Sequence, residues 1–340
     1  MCTSPKKAFC VGLTKNGKPD YVIAPYQCHH VEKIGDKFER VYSSAMSPRA
    51  DLVVSTFIEI PCGRCLDCRL SYSRSWADRL VRESKTSVSS LFVTFTYDDD
   101  HLPYHDYVNS ESGELVSKPC LVKKHCQDFF KRLRKYFDGY NIRYFIAGEY
   151  GETSARPHYH AVIYNLPLDK LDLQFYKTNF NGDLYYTSPV LESIWTHGYV
   201  VLSDFSWQTG AYTARYILKK QFGKASDQFK LTGFPQEFVL MSRKPGLGRQ
   251  YFNENIDDLI AYDGDICRPG QKSKPGRYFD SLIEDADPEK YKDLKNNRQT
   301  VRDLFIAGKL AQTDKSYLDL LSVEDHYYTQ RALHLKRKDL

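Results

Sequence analysis

The residues with the most chemical capacity in this chain sit in a few short stretches. His158-Tyr159-His160 is the sharpest. In a strand, residues i and i+2 project to the same face. His158 and His160 can therefore share one divalent cation while Tyr159 points the other way. Glu149 closes a strand-like stretch nine residues before His158. A hairpin would fold it back beside the histidines. One carboxylate and two imidazoles, with coordination positions left open, suit Mg²⁺ or Mn²⁺ acting as a Lewis acid on phosphate. The plainer alternative is a surface histidine pair and a strand-end carboxylate in water.

Tyr212 and Tyr216 are spaced i,i+4, which stacks two phenols on one helical face. Lys219 and Lys220 follow within a turn. A cation there would help ionise a phenol whose free pKa is ~10, and each phenolate could attack a phosphate. An aromatic stripe packed in a core is the competing account. Cys62, Cys65 and Cys68 form a C-x₂-C-x₂-C cluster that suits structural Zn²⁺ if a fourth ligand is found. Cys10, Cys28, His29 and His30 compete for that place. An iron–sulfur cluster and free buried thiols are the other readings.

These residues need a scaffold. Leu91–Tyr97 is predicted to be a strand, Val122–Phe137 an amphipathic helix, and Ile142–Glu149 and His158–Tyr164 a hairpin. A short helix near 190–196, a strand at Tyr199–Leu202 and a helix at Gly210–Lys220 follow. That order predicts an α+β fold with a ferredoxin-like antiparallel sheet and helices on one face. Thr94 and Thr96 share one strand face, as DNA contacts or as β-branched filler. Residues 1–60 read as irregular apart from short strand-like pieces, 69–83 as a helix, 104–120 as a polar loop and 263–280 as another. The expected division is 1–85, an N-terminal segment with the cysteines; 86–225, the core; and 226–340, a mostly helical extension.

The net charge of +5 permits nucleic-acid binding without demanding it. Lys123, Lys124, Lys131, Arg132, Arg134 and Lys135 cluster on the first core helix, as a DNA contact or simply a solvated face. No run approaches the ~18 apolar residues of a membrane span, and no apolar signal core opens the chain. A cytosolic protein without a membrane partner is expected. No GxxxxGK[ST] loop is present, which argues against an ATP-driven helicase.

Several longer stretches occur together in order: PCGRCLDCR at 61–69, FVTFTYDDDHLP at 92–103, GEYGETSARPHYHAVIYN at 148–165, YTARYILKK at 212–220 and MSRKPGLGRQYF at 241–252. With them, roughly residues 1–252 resemble the replication initiators of gokushoviruses, a Microviridae subfamily of small single-stranded DNA phages. The resemblance implies an HUH-type endonuclease fold. It implies metal binding by Glu149, His158 and His160 and nucleophilic attack by Tyr212 and Tyr216, with Lys219 alongside. It also makes Cys2 the candidate fourth ligand beside Cys62, Cys65 and Cys68. The implied activity is nicking and rejoining of a single-stranded DNA origin in rolling-circle replication, through a 5′-phosphotyrosyl intermediate. Host DNA polymerase and helicase would be partners, in the bacterial cytoplasm, and no small molecule would be a substrate. A non-catalytic single-stranded DNA-binding module is the rival reading.

Overall fold

The computed structural model describes residues 2–109, 112–151, 154–215 and 232–334. They fall into two compact units, residues 1–71 with 298–340, and residues 72–297.

The first unit opens with six strands where the sequence reads as irregular. They are β1 (Lys6–Leu13), β2 (Pro19–Pro25), β3 (His30–Ile34), β4 (Lys37–Val41), β5 (Leu52–Val54) and β6 (Phe57–Ile60). They form two antiparallel sheets, ordered β2-β1-β6 and β4-β3-β5. Phe9, Ala24, Cys28 and Val31 are the buried core between them. Helix α1 (Leu66–Lys85) follows the cysteine cluster and runs on into the second unit.

The second unit is built on a seven-stranded antiparallel sheet. In chain order its elements are β7 (Ser90–Thr96), the separate hairpin β8 (Tyr104–Val108) and β9 (Leu115–Pro119), α2 (Lys123–Tyr136), β10 (Arg143–Tyr150) and β11 (Pro157–Tyr164). There follow β12 (Gln174–Thr178), β13 (Leu184–Thr187), α3 (Pro189–Trp195), β14 (Val200–Asp204), α4 (Trp207–Arg215) and β15 (Phe238–Met241). The sheet order is β12-β13-β14-β7-β11-β10-β15. Its middle four strands, fourth-first-third-second of the β-α-β-β-α-β run, reproduce the expected split βαβ arrangement. The outer strand β15 comes from beyond residue 225.

The helices do not all lie on one face, as the sequence suggests. α2 and α3 bury Phe129, Phe130, Leu133, Leu191 and Trp195 against Val93, Phe95, Tyr159 and Ala161. Each such fully buried side chain contributes about 2 kcal/mol. The opposite face carries Phe145, Val162 and Tyr164, covered by Trp76 and Leu80 of α1 and by Phe205, just before α4. An apolar helical stripe reveals that a helix is buried, but not against which side of the sheet. Buried Glu83 of α1 pairs with Arg143 of β10 and accepts the Gly248 amide at 2.5 Å. Fully buried Arg82 is bound by Asp265 and by the carbonyls of Ser273, Lys274 and Pro275.

Two stretches expected as loops are ordered. Residues 104–120 contain the β8–β9 hairpin. Residues 263–280 contain the hairpin β16 (Asp265–Arg268) and β17 (Gln271–Ser273), after helix α5 (Arg249–Ala261), and the start of α6 (Gly276–Ala286). The tail is helical, as expected, in α7 (Pro288–Leu310) and α8 (Tyr317–His334). No helix among the described residues is long and apolar enough to cross a membrane.

Candidate metal centre and tyrosine site

The β10–β11 register creates the site. Glu149 lies directly opposite His158, and Ala147 opposite His160. Glu149 is therefore a direct cross-strand neighbour of one histidine and a diagonal neighbour of the other. Its Oε1 lies 2.6 Å from His158 Nε2 and 3.0 Å from His160 Nε2. Glu149 and His160 are buried and His158 is half-buried. Burial pushes the Glu149 carboxyl up, but the hydrogen bonds and charge of the two histidines outweigh it and hold the carboxyl at about 2. It stays ionised near neutral pH.

The far side of each imidazole is also engaged. His158 Nδ1 lies 3.1 Å from the Arg156 carbonyl, and His160 Nδ1 lies 3.0 Å from the Thr94 hydroxyl. Metal-binding histidines commonly donate their outer N–H in this way, which leaves the other nitrogen's lone pair for the ion. The donor atoms of Glu149, His158 and His160 all lie within 4.8 Å of one another. One carboxylate oxygen and two imidazole nitrogens at a common focus fit a single divalent cation.

β7 lines the other flank. His158 is the register partner of Thr96, and His160 of Thr94. The Phe92 ring stacks on His160, with centroids 5.5 Å apart and planes 9° from parallel. α4 lies over this same face. Tyr212 meets the His160 ring edge-on at 5.0 Å and Phe92 at 6.3 Å. The Arg215 guanidinium sits 5.5 Å from the Tyr212 ring centroid. Tyr216 and Lys219 lie outside the described residues.

Sequence reasoning missed three neighbours of this centre: Thr94, Phe92 and Arg215. For Thr94 and Phe92 the signal was available, because period-two spacing in β7 puts both on the face that pairs with His160. The basic residues of α2 are on the wrong face for the site. Lys124 and Lys131 flank Asp128, while Arg132 and Arg134 donate to the carbonyls of Ile194 and Ile142. In the first unit, the sulfurs of Cys2, Cys62, Cys65 and Cys68 also converge within 4.8 Å.

Residues 90–221 match the family model described as Replication-associated protein ORF2. That span holds Glu149, His158, His160, Tyr212, Tyr216 and Lys219, but not the cysteine cluster. The chain is 31% identical over 314 residues to replication-associated protein ORF2 of Spiroplasma virus 4, covering 89% of this chain and 93% of that protein. It is 26% identical to replication-associated protein VP4 of Bdellovibrio phage phiMH2K, covering 68% and 69%. It is also 26% identical to replication-associated protein ORF4 of Chlamydia phage 1, covering 81% and 68%. No solved structure matches the chain. With that identity spread across almost its whole length, the chain belongs to the family of Microviridae phage replication-associated proteins.

Proposed function

We propose that this protein initiates rolling-circle replication of a phage genome by nicking and rejoining single-stranded origin DNA, and that its central sheet is of the HUH-endonuclease type. The observation that carries this reading is the convergence of Glu149 Oε1, His158 Nε2 and His160 Nε2 next to the Tyr212 ring. A metal-binding triad on a sheet face, with a phenol from the covering helix, is the minimum equipment for tyrosine attack on a phosphate. The names of the three phage relatives support the replication role.

Glu149, His158 and His160 hold a divalent cation, Mg²⁺ or Mn²⁺. When bound, that ion polarises the scissile phosphate as a Lewis acid. One of Tyr212 and Tyr216 gives up its phenol proton to water and attacks phosphorus in line. The P–O3′ bond breaks, and the departing 3′ oxygen takes up a proton. The 5′ side remains esterified to the tyrosine. Arg215, and Lys219 further along the chain, offset the negative charge of the phenolate. A host polymerase, assisted by a helicase in the bacterial cytoplasm, extends the free 3′-OH. After one round the second tyrosine cuts the regenerated origin, and the new 3′-OH displaces the first tyrosine to seal a circle. Because the phosphotyrosine keeps the phosphodiester energy, joining needs no ATP.

The test mixes the protein with labelled single-stranded origin DNA and Mn²⁺, with and without EDTA, on a denaturing protein gel. A labelled band at protein size that needs metal and vanishes in the Tyr212→Phe/Tyr216→Phe double variant is expected. Tight DNA binding with no such band would overturn the nickase reading in favour of a binding module.

A further inference from the structure

The cysteine group in the first unit stands apart from the nicking chemistry. Its assembly follows from strand register. β1 and β6 are antiparallel partners, with Lys6 opposite Ile60. The chain therefore enters β1 and leaves β6 at the same end, which returns Cys2 to Cys62. Gly63, at φ +72°, turns the backbone between Cys62 and Cys65. Cys65 then precedes α1, and Cys68 sits in its first turn.

The distances select one kind of occupant. Cys2 Sγ and Cys65 Sγ are 3.8 Å apart, and Cys62 Sγ and Cys68 Sγ 4.0 Å. Four thiolates at ~2.3 Å from one tetrahedral ion lie about 3.8 Å from each other. A disulfide needs a separation of ~2.05 Å. A multi-iron cluster has to fit its irons between the sulfurs and so spreads them wider. Backbone amides already point at the sulfurs: Cys62 N–H at Cys2, Arg64 and Cys65 N–H at Cys62, and Cys68 N–H at Cys65, at 3.2 to 3.5 Å. Such donors favour thiolate over thiol.

The rival fourth ligands are committed elsewhere. Cys28 is buried and donates to the carbonyls of His30 and Val41. His30 Nε2 lies 2.8 Å from Glu32, and His29 Nδ1 lies 3.2 Å from His30 Nδ1. Cys10 is exposed and bonds to the Gly12 carbonyl.

We propose that Cys2, Cys62, Cys65 and Cys68 form a closed tetrathiolate zinc site. Four protein ligands leave no position for water or substrate, so its role is structural. It ties residue 2 to the first turn of α1 and clamps the shared end of β1 and β6. This inference does not rest on the nickase reading.

The test is elemental analysis of the full-length protein purified under reducing conditions without added metal. About one zinc per chain is expected, released when a mercurial blocks the thiols. Cys2→Ser and Cys65→Ser should lose most of it, while Cys10→Ser and His160→Ala keep it. Should the cysteine variants fail to fold, cobalt exchange into the wild-type protein carries the test. It should give an intense thiolate-to-cobalt charge-transfer band with the visible bands of tetrahedral Co²⁺. Absence of stoichiometric zinc, iron in its place, zinc lost with His160→Ala, no thiolate-to-cobalt band, or a Cys2–Cys65 disulfide in peptide maps would each overturn the proposal.

Discussion

Thr94 and His160 face each other across the β7–β11 pairing, and the threonine hydroxyl lies 3.0 Å from the histidine's Nδ1. The hydroxyl sets which imidazole nitrogen is left for an ion. Removing it should cost metal affinity without touching a ligand. Thr94→Val is expected to weaken Mn²⁺ binding about 10- to 100-fold, and Thr94→Ser to restore most of it. Calorimetric Mn²⁺ titration of the folded variants checks this, and equal affinities for Thr94→Val and wild type would dismiss the role.

Tyr212 packs by its ring on His160 and Phe92. Tyr212→Phe keeps that ring and deletes only the phenol oxygen. The fold and Mn²⁺ affinity should survive, while at least one of cleavage and joining falls by several orders of magnitude. Tyr216→Phe should likewise abolish at least one of the two transfers. Single-turnover gels on origin oligonucleotides separate the steps, and unchanged rates of both would exclude these phenols as nucleophiles.

Gly198 occupies the turn between α3 and β14 at φ +137°, where a Cβ would come within 2.4 Å of the Asp98 nitrogen and 2.6 Å of the Thr96 carbonyl oxygen. Both obstacles are backbone, so neither can swing aside. Gly198→Ala should destabilise the protein by about 2 kcal/mol. Because Thr96 is the register partner of His158, Mn²⁺ affinity should drop as well. Thermal melts with and without Mn²⁺ read both effects.

Arg82 and Asp265 form a buried ion pair. Burial pushes the Asp265 carboxyl up, but the hydrogen bonds and charge of Arg82 outweigh it and hold the carboxyl below its ordinary 3.8. A depressed folded pKa gives stability that is fully present above the unfolded value and lost as pH falls through the folded one. Asp265→Asn should therefore cost about 3 kcal/mol at neutral pH. Its deficit against wild type should shrink as pH drops below 3.8. Urea titrations at neutral and acid pH measure this, and a deficit independent of pH would contradict it.

The sequence made the centre of the second unit legible because strand alternation and hairpin folding are local. Once residues 143–150 and 157–164 are paired strands, Glu149 must meet His158. The first unit was harder. β2 and β4 are largely exposed, so Lys37 to Val41 carries little apolar contrast and reads as loop. The β8–β9 and β16–β17 hairpins hide for the same reason. The side of the sheet taken by α1 depends on Trp76 and Leu80 meeting Phe145 and Val162, a long-range choice with no local signature. Thr94 passed as β-branched filler because its partner lies 66 residues away.

The β10–β11 hairpin contributes all three atoms of the Glu149, His158 and His160 cluster, and its neighbour β7 precedes it in the chain. During synthesis, the complete ligand set is thus available once residue 164 has left the ribosome. Tyr212, the proposed nucleophile, has yet to be translated. A nascent chain can gain its ion-holding pocket early through a contact of low sequence separation. Any power to cut waits for α4 to be made and to close over that face.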